Sequence, residues 1–411
     1  MDRIILHCDL NSFYASVEML LNNELQGKAV AVCGDPERRH GIVLAKSDLA
    51  KKAGVKTGET VWQARQKCRD LICVPPHHNL YADYSRKVIE IYSRYTDRVE
   101  CFGLDECWLD VTGSTKLFGD GKTIADTLRQ VVKTELGLTI SVGVSFNKIF
   151  AKLGSDLKKP DATTVLSREN FREKIWGLNA DELIMIGHKT YKKLNNLNIF
   201  TIGDLARADL DMIKQNFGIV GERLVLNARG EDDSPVALLS ACTQPKSIGH
   251  GTTMRRDAKS FEEVKPVVYA LADMVATRLR RHGLLALGVH LHIKDCLFKD
   301  VGKQCKLDCF TDSANIFAET AFKLMHEIFD FDKKPPIRML AVSVFDLVDN
   351  KENVQASMFE NVRQSRLEHS IDRVHERYGY GSIRRGIVLQ NSYLCDSLVP
   401  LNEDEKPFKK S

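Results

Sequence analysis

The chain has 411 residues, 43% of them apolar and 28% charged, with a formal net charge of only +4. That size supports about two to four domains with real cores and excludes a fibrous or globally disordered chain. No run approaches the roughly 18 unbroken apolar residues of a membrane span, and MDRIILHCDL is not a leader, so a cytoplasmic protein with no membrane attachment is expected. Eleven cysteines scattered from Cys8 to Cys395 do not resemble a secreted disulfide framework, which favours a reducing compartment.

Residues 3 to 8, RIILHC, predict a short buried strand ending at Asp9. A helix follows in LNSFYASVEMLLNNEL, with Phe13, Val17, Leu20 and Leu21 on one face and Asn11 and Ser12 available as N-caps. AVAVC (29 to 33) and GIVLA (41 to 45) are further strands, and the stretch to residue 70 predicts short helices with glycine stops, so a small unit is inserted after the first helix. A helix over 81 to 95, a hairpin in RVECFGLDECWLDVT, a helix over 120 to 136 and a strand in LTISVGVS follow. The hairpin implies antiparallel pairing, so the class is α+β and multi-domain. After a boundary near Leu166 come short helices with glycine-bearing turns, then SPVALLSACTQPK (234 to 246), which lacks a clear period and predicts a linker. Strands over 247 to 254, 285 to 294 and 337 to 346, with helices over 261 to 282 and 313 to 329, predict a compact α+β module; the chain from Asp349 to NEDEKPFKKS is expected to be mobile.

GLDECWLD (103 to 110) carries the chemistry. Two adjacent acids, Asp105 and Glu106, stand between the apolar arms of the hairpin, and burying ionised carboxylates costs several kcal/mol unless a cation compensates. Neighbouring strand residues point to opposite faces, so the two converge only at a turn or bulge, which Gly103 makes possible. If the strand ending at Asp9 lies beside the hairpin, three carboxylates meet at one edge of the sheet. Such an oxygen set suits Mg²⁺, and two ions about 3.5 to 4 Å apart would activate an attacking hydroxyl and neutralise a leaving pyrophosphate. The plainer alternative makes Asp9 a helix cap and the other two solvated turn acids.

DLNSFYASVE (9 to 18), GIVLAKSDLAKKAGVKTG (41 to 58), NLYADYS (79 to 85), GLDECWLDVTG (103 to 113), SVGVSFNKIFAKLGSDLKKP (141 to 160) and KSIG (246 to 249) resemble, in order and spacing, the Y-family translesion DNA polymerases over roughly residues 1 to 350. Bacterial polymerase IV-like and polymerase V catalytic-subunit-like members are both compatible. The resemblance implies a right-hand architecture with a palm (1 to 19 and 78 to 166), small fingers (20 to 77), a helical thumb with helix-hairpin-helix turns (167 to 233), a linker (234 to 244), an α+β little finger (245 to 348) and a C-terminal tail (349 to 411). It places Asp9, Asp105 and Glu106 on catalytic metal positions for two Mg²⁺ ions, with the Leu10 carbonyl joining them. The family's motif usually starts with Ser and continues past Glu to Ala and Tyr; here those places hold Gly103, Cys107 and Trp108.

By the same resemblance Tyr14 is the steric gate, a ring occupying the space of a ribose 2′-hydroxyl; the alternative is an ordinary core aromatic beside Phe13. Asn11, Ser12 and Phe13 at the helix start and Lys46, Lys51 and Lys159 are expected around the dNTP. Asp48 and Lys51 replace the family's usual fingers Tyr and Arg; Lys51 keeps the charge without the bidentate fork, and Asp48 would repel phosphate.

Template-primer DNA is expected along MIGHKTYKKL (185 to 194) and FGIVGERL (217 to 224), through Gly187, Lys189, Gly218 and Gly221, with plain helical hairpins as the alternative. Lys246, Ser247, Arg255, Arg256 and Arg281 are further candidate backbone contacts. His290, His292, Cys296, Cys305 and Cys309 contain no CxxC pair, and no zinc site is assigned. QASMF (355 to 359) resembles a sliding-clamp-binding peptide with Gln355, Met358 and Phe359 as anchors, and Leu367, Ile371, Val374 and Tyr378 beyond it trace an apolar helix stripe. The expected activity is error-prone, template-directed addition of dNTPs by a monomer across damaged bases. A non-catalytic DNA- and clamp-binding factor and a palm-fold nucleotidyl cyclase are the rival readings.

Overall fold

The computed structural model describes residues 2–36, 39, 41–241, 244–350, 362–379 and 381–390. They fall into two compact units, one built from residues up to 33 and from 43 to 241, the other from the described residues of 34–42 and those from 244 onward.

In the first unit the strands run β1 (Ile5–Leu10), β2 (Val30–Cys33), β3 (Val43–Lys46), β4 (Ile72–Val74), β5 (Val99–Cys101), β6 (Glu106–Asp110), β7 (Ile140–Ser145) and β8 (Thr163–Leu166). A five-stranded sheet has the order β5-β6-β1-β7-β8, with β1 central and antiparallel to both neighbours. Alternation splits its side chains cleanly. Leu6, Cys8 and Leu10 of β1 face a core shared with helices His78–Ser93 and Gly121–Leu136, whereas Ile5 packs with Trp108 and Ala151 under helix Lys148–Leu157. That last helix lies unusually close to the sheet, because a Cβ on Gly143 of β7 would come within 1.9 Å of the Ala151 carbonyl oxygen.

The inserted segment forms a three-stranded sheet, β3-β2-β4, with helices Asp48–Lys52 and Val61–Lys67 and a small core of its own. Strand β4 is additional to the sequence expectation; three residues are too few to show a period. Helices Phe171–Ile175, His188–Asn195, Ile202–Arg207 and Leu210–Arg229 then surround a third core that includes Phe146 and Phe150. The start of the expected linker is anchored: Val236 is buried against Ile5 and Trp108, and Leu239 N–H donates to the Asp97 carbonyl at 3.0 Å.

The second unit holds an antiparallel sheet in the order β11-β10-β12-β9, from β9 (Ser247–Ala258), β10 (Leu284–Asp295), β11 (Asp300–Thr311) and β12 (Ile337–Asp349). Helices Phe261–Arg281 and Ala314–Ile328 share its core. Strand β11 was not expected. It is an edge strand with Lys303, Lys306 and Asp308 at exposed positions, and Cys305, Leu307 and Cys309 alternate with its polar residues, a strand signal that was available in the sequence.

Helix Val362–Tyr378 packs within this unit, but only in part by the stripe its sequence suggests. Leu367 and Tyr378 are exposed and Ile371 and Val374 half-buried, while Glu368, Asp372 and His375 are buried. Arg280 receives both acids, with Nη1 2.7 Å from Glu368 Oε2 and Nε 2.5 Å from Asp372 Oδ2. Glu368 Oε2 also accepts the Ala314 N–H at 3.0 Å, capping a helix whose own Ser313 makes no side-chain cap. Acids share the docking face because its partner surface offers a buried guanidinium. The proposed clamp residues Gln355, Met358 and Phe359 lie outside the described residues. Among the described residues, no helix is long and apolar enough to cross a membrane.

Candidate active site

The pairing of β1 with β6 sets Asp9 directly opposite Glu106, on the sheet face turned to helix Lys148–Leu157. Asp105 sits in the preceding turn, where Gly103 adopts φ 92° and the Asp105 carbonyl accepts the Leu10 N–H at 3.0 Å. The acids therefore gather at strand ends in the middle of the sheet rather than at an edge strand. Asp9 and Glu106 share a face by register, and Asp105 is one residue off it.

Two ammonium groups stand among them. Lys159 Nζ is 2.6 Å from Asp9 Oδ2 and 2.8 Å from Asp156 Oδ1; Lys152 Nζ is 2.7 Å from Glu106 Oε2. His7 lies beneath, with Nε2 3.3 Å from Glu106 Oε2 and Nδ1 2.8 Å from Ser155 Oγ. Burial pushes Asp105 up to about 6, helped by the Asp9 and Glu106 charges. Burial acts the same way on Glu106, but His7 and Lys152 overcome it and hold that group near about 2. Asp9 is raised by burial, against the pull of Lys159.

These groups fit a divalent ion in chemistry. All donors are oxygens, burial raises two of the carboxyl pKa values, a cost that a cation offsets, and Glu106 Oε2 is buried with ion-pair neighbours but no aligned hydrogen bond. Among the described residues no three His, Cys, Asp or Glu side chains converge tightly enough to hold an ion as they stand, because the lysines occupy the space between the acids.

A cleft of about 710 Å³ opens at this point, bounded by Asp9, Ser12, Asp105 and Lys159 on one side and by Lys46, Asp48 and Lys51 on the other. Lys46 donates to Thr57 Oγ1 at 2.9 Å, and burial lowers its pKa, aided by nearby Lys51. Asp48 also faces the cleft, accepting Ser12 Oγ at 3.2 Å.

Neither Asn11 nor Ser12 is the side-chain helix cap that was predicted, and the Asn11 amide is not open to phosphate. The Asn11 N–H is spent on the Thr139 carbonyl at 2.9 Å, and its side chain bonds Ser141 Oγ and the Asp161 N–H, so it ties β1 to β7 and the loop before β8. Ser12 precedes helix Phe13–Leu21 in the left-handed region (φ 49°) and makes no side-chain cap. Phe13 is buried in the core.

The Tyr14 ring is half-buried and lies flat against Tyr81, centroids 4.0 Å apart and planes 11° apart. Burial, then the Asp105 charge, raises its pKa. Tyr81 is itself fixed: its hydroxyl donates to Glu18 Oε1 at 2.5 Å and accepts the His77 N–H at 3.0 Å. The sequence offered NLYADYS without a role for this tyrosine; only the stack reveals one.

Of the expected DNA contacts, Gly187 begins helix His188–Asn195, which carries Lys189, and Met185 just before it holds φ 75°, where glycine is at ease. Gly218 breaks helix Leu210–Arg229 at φ 64° and ψ −153°. Gly221 is buried against Phe217 and Ile213, so its role is packing and it leaves the set of phosphate contacts. In the second unit Lys246 and Ser247 are exposed at the start of β9, and Arg255 is partly buried on that strand. Arg256 is committed to Glu263 by paired bonds of 3.1 and 2.8 Å, and Arg281 ends a helix of the layer behind the sheet.

Residues 8–156 match the impB/mucB/samB family and residues 245–358 its C-terminal domain. A protein named DNA polymerase IV from Acetivibrio thermocellus is 49% identical over 95% of this chain and 98% of its own. Another of that name from Pelotomaculum thermopropionicum is 41% identical over 94% and 95%. DNA polymerase IV 1 of Bacillus subtilis is 35% identical over 98% and 97%. A solved Y-family DNA polymerase chimera of Dbh and Dpo4 superposes with a TM-score of 0.76 at 23% identity, over 84% of this chain and all of that one, which shows a shared fold. With acids and lysines placed as described and this breadth of similarity, the chain belongs to the impB/mucB/samB family of bacterial Y-family polymerases.

Proposed function

We propose that this chain is a template-directed DNA polymerase that extends a primer 3′-hydroxyl with dNTPs and bypasses damaged template bases. The observation that carries the reading is the in-register pair Asp9 and Glu106, with Asp105 in the adjoining turn, at the mouth of a cleft walled by Lys46, Lys51 and Lys159. Asp9, Asp105, Glu106 and the Leu10 carbonyl would hold two Mg²⁺ ions, which when bound make the primer hydroxyl more acidic and stabilise negative charge on pyrophosphate. Lys159 and Lys152 keep the acids ionised and compact, and Lys159 with Lys46 and Lys51 then supplies positive charge to the triphosphate. Tyr14, immobilised on Tyr81, excludes a 2′-hydroxyl.

The five-stranded sheet serves as the palm, the β2–β4 insertion as small fingers, the helical segment as a thumb whose Gly187 and Gly218 turns meet phosphate, and the second unit as a little finger using Lys246, Ser247 and Arg255 on the duplex backbone. Gln355, Met358 and Phe359 tether the monomer to a sliding clamp, raising its local concentration on DNA. The decisive experiment is primer extension with Mg²⁺ by the native chain and by Asp105→Ala. The reading expects loss of about 10³-fold or more in the variant; extension that survives the substitution refutes it, and no extension by either favours a non-catalytic binding factor.

A further inference from the structure

The turn that carries Asp105 is closed by two thiols. Cys101 on β5 and Cys107 on β6 are register partners, and their sulfurs are 3.8 Å apart. Phe102 N–H bonds the Glu106 carbonyl at 2.8 Å and Asp110 N–H bonds that of Arg98 at 3.1 Å, so the hydrogen-bonded positions alternate and Cys101–Cys107 falls on a non-hydrogen-bonded pair. Cα atoms at such a pair lie about 4.5 Å apart, within the roughly 4.4–6.8 Å that a disulfide spans. Cys101 is exposed and Cys107 buried, so an oxidant reaches one sulfur and the other waits beside it. Cys107 donates to Cys101, which lowers the pKa of the Cys101 thiol. A second thiol pair, Cys33 and Cys73, contrasts with this one: burial pushes Cys33 up to about 12, away from its reactive form.

We propose that Cys101 and Cys107 form a peroxide-sensitive dithiol whose oxidation slows the adjoining active site, an inference that rests on the polymerase reading for its effect but not for its chemistry. The Cys101 thiolate attacks one oxygen of hydrogen peroxide; the S–O bond forms as the O–O bond breaks, giving a sulfenic acid and releasing hydroxide. The Cys107 thiol then attacks the sulfenic sulfur; the S–S bond forms as the S–O bond breaks, and the thiol proton leaves with the hydroxyl as water. For hydrogen peroxide the sum is two thiols oxidised to one disulfide and peroxide reduced to two waters. A dithiol reductant reverses it by exchange and becomes a disulfide itself. Closing 3.8 Å to a bond of about 2.05 Å draws the sulfurs together by about 1.8 Å. The bond ties β5 to β6 across residues 102–106, which include two of the three acids, and whatever part of the movement side-chain rotation does not supply falls on that backbone. Displacements of tenths of an ångström there lower turnover, since about 1 Å of misplacement is worth about 100-fold. Cytosolic disulfides of this transient kind are typically regulatory.

The test uses the full reduced chain and its Cys101→Ser variant, each exposed to hydrogen peroxide and read by peptide mass mapping and by primer extension. The expected result is a Cys101–Cys107 linked peptide lighter by two hydrogens, extension slowed about tenfold, recovery with dithiothreitol, and a Cys101→Ser variant that keeps its rate under peroxide. Absence of the linked peptide, equal loss in Cys101→Ser, or a linked peptide with unchanged extension overturns the proposal. The linkage is read by mass alone, so a reduced chain that fails to extend primers refutes the polymerase reading separately.

Discussion

If Tyr14 is the sugar gate, its selectivity depends on the ring being unable to move, and Tyr81 is what holds it. The stack at 4.0 Å and 11° is worth about 0.5 to 1.5 kcal/mol beyond area burial. Tyr81→Leu removes that restraint and leaves Tyr14 in place. If the whole stacking energy resists displacement of the gate by a ribose 2′-hydroxyl, its loss lowers discrimination by about 2- to 12-fold, at 1.36 kcal/mol per factor of ten. Tyr81→Phe is the control: it keeps the ring and deletes the hydroxyl on Glu18, so stability falls by about 1 to 2 kcal/mol while sugar choice is unchanged. The assay is single-nucleotide primer extension, comparing kcat/KM for a dNTP and its ribonucleotide in the native chain, both Tyr81 variants and Tyr14→Ala. Should Tyr14→Ala lose selectivity while Tyr81→Leu keeps the native ratio, the stack does not hold the gate and the reasoning fails.

Other outcomes follow from the same geometry. Because Asp105 is raised to about 6, a proton competes with Mg²⁺ for it: between pH 7.5 and pH 5.5 its ionised fraction falls about fourfold, and Mg²⁺ affinity measured by calorimetry should weaken by that factor. Glu106, near about 2, stays charged over this range, so an Asp105→Asn variant should bind the ion weakly at both pH values. Asp372→Ala leaves the Arg280 guanidinium buried with half its partners, and thermal or urea unfolding should show about 3 kcal/mol lost from the second unit. Gly143→Ala pushes a methyl group into the Ala151 carbonyl, which backbone cannot readily yield, and should cost about 3 kcal/mol; native stability in that variant would mean the helix is free to lift from the sheet.

Much of the candidate site was legible because its chemistry is local in the sequence. Adjacent acids in an apolar hairpin, a strand ending in Asp, and a lysine-rich helix after a strand each announce themselves within about ten residues, and their spacing carried the family resemblance. The elements with strong periods, such as helices Gly121–Leu136 and Phe261–Arg281, were equally plain. Edge strand β11 was less so, although Cys305, Leu307 and Cys309 alternate with polar residues, because the alternation is short and Lys303 interrupts it on the inner face.

What only the tertiary structure decided depends on partners far apart in the chain. The apolar stripe on helix Val362–Tyr378 marked only part of the docking face, because the buried positions include acids that meet Arg280, some 90 residues upstream. The Asn11 amide looked available for phosphate until Thr139 proved to occupy it. Tyr81 acquired a role only when it came to lie on Tyr14, and Cys101 and Cys107 became a pair only through strand register. Residue identity and spacing set which groups are present and which element carries them. Which group meets which is settled by long-range packing, since hydrogen bonds and ion pairs act over a few ångströms and are blind to sequence distance.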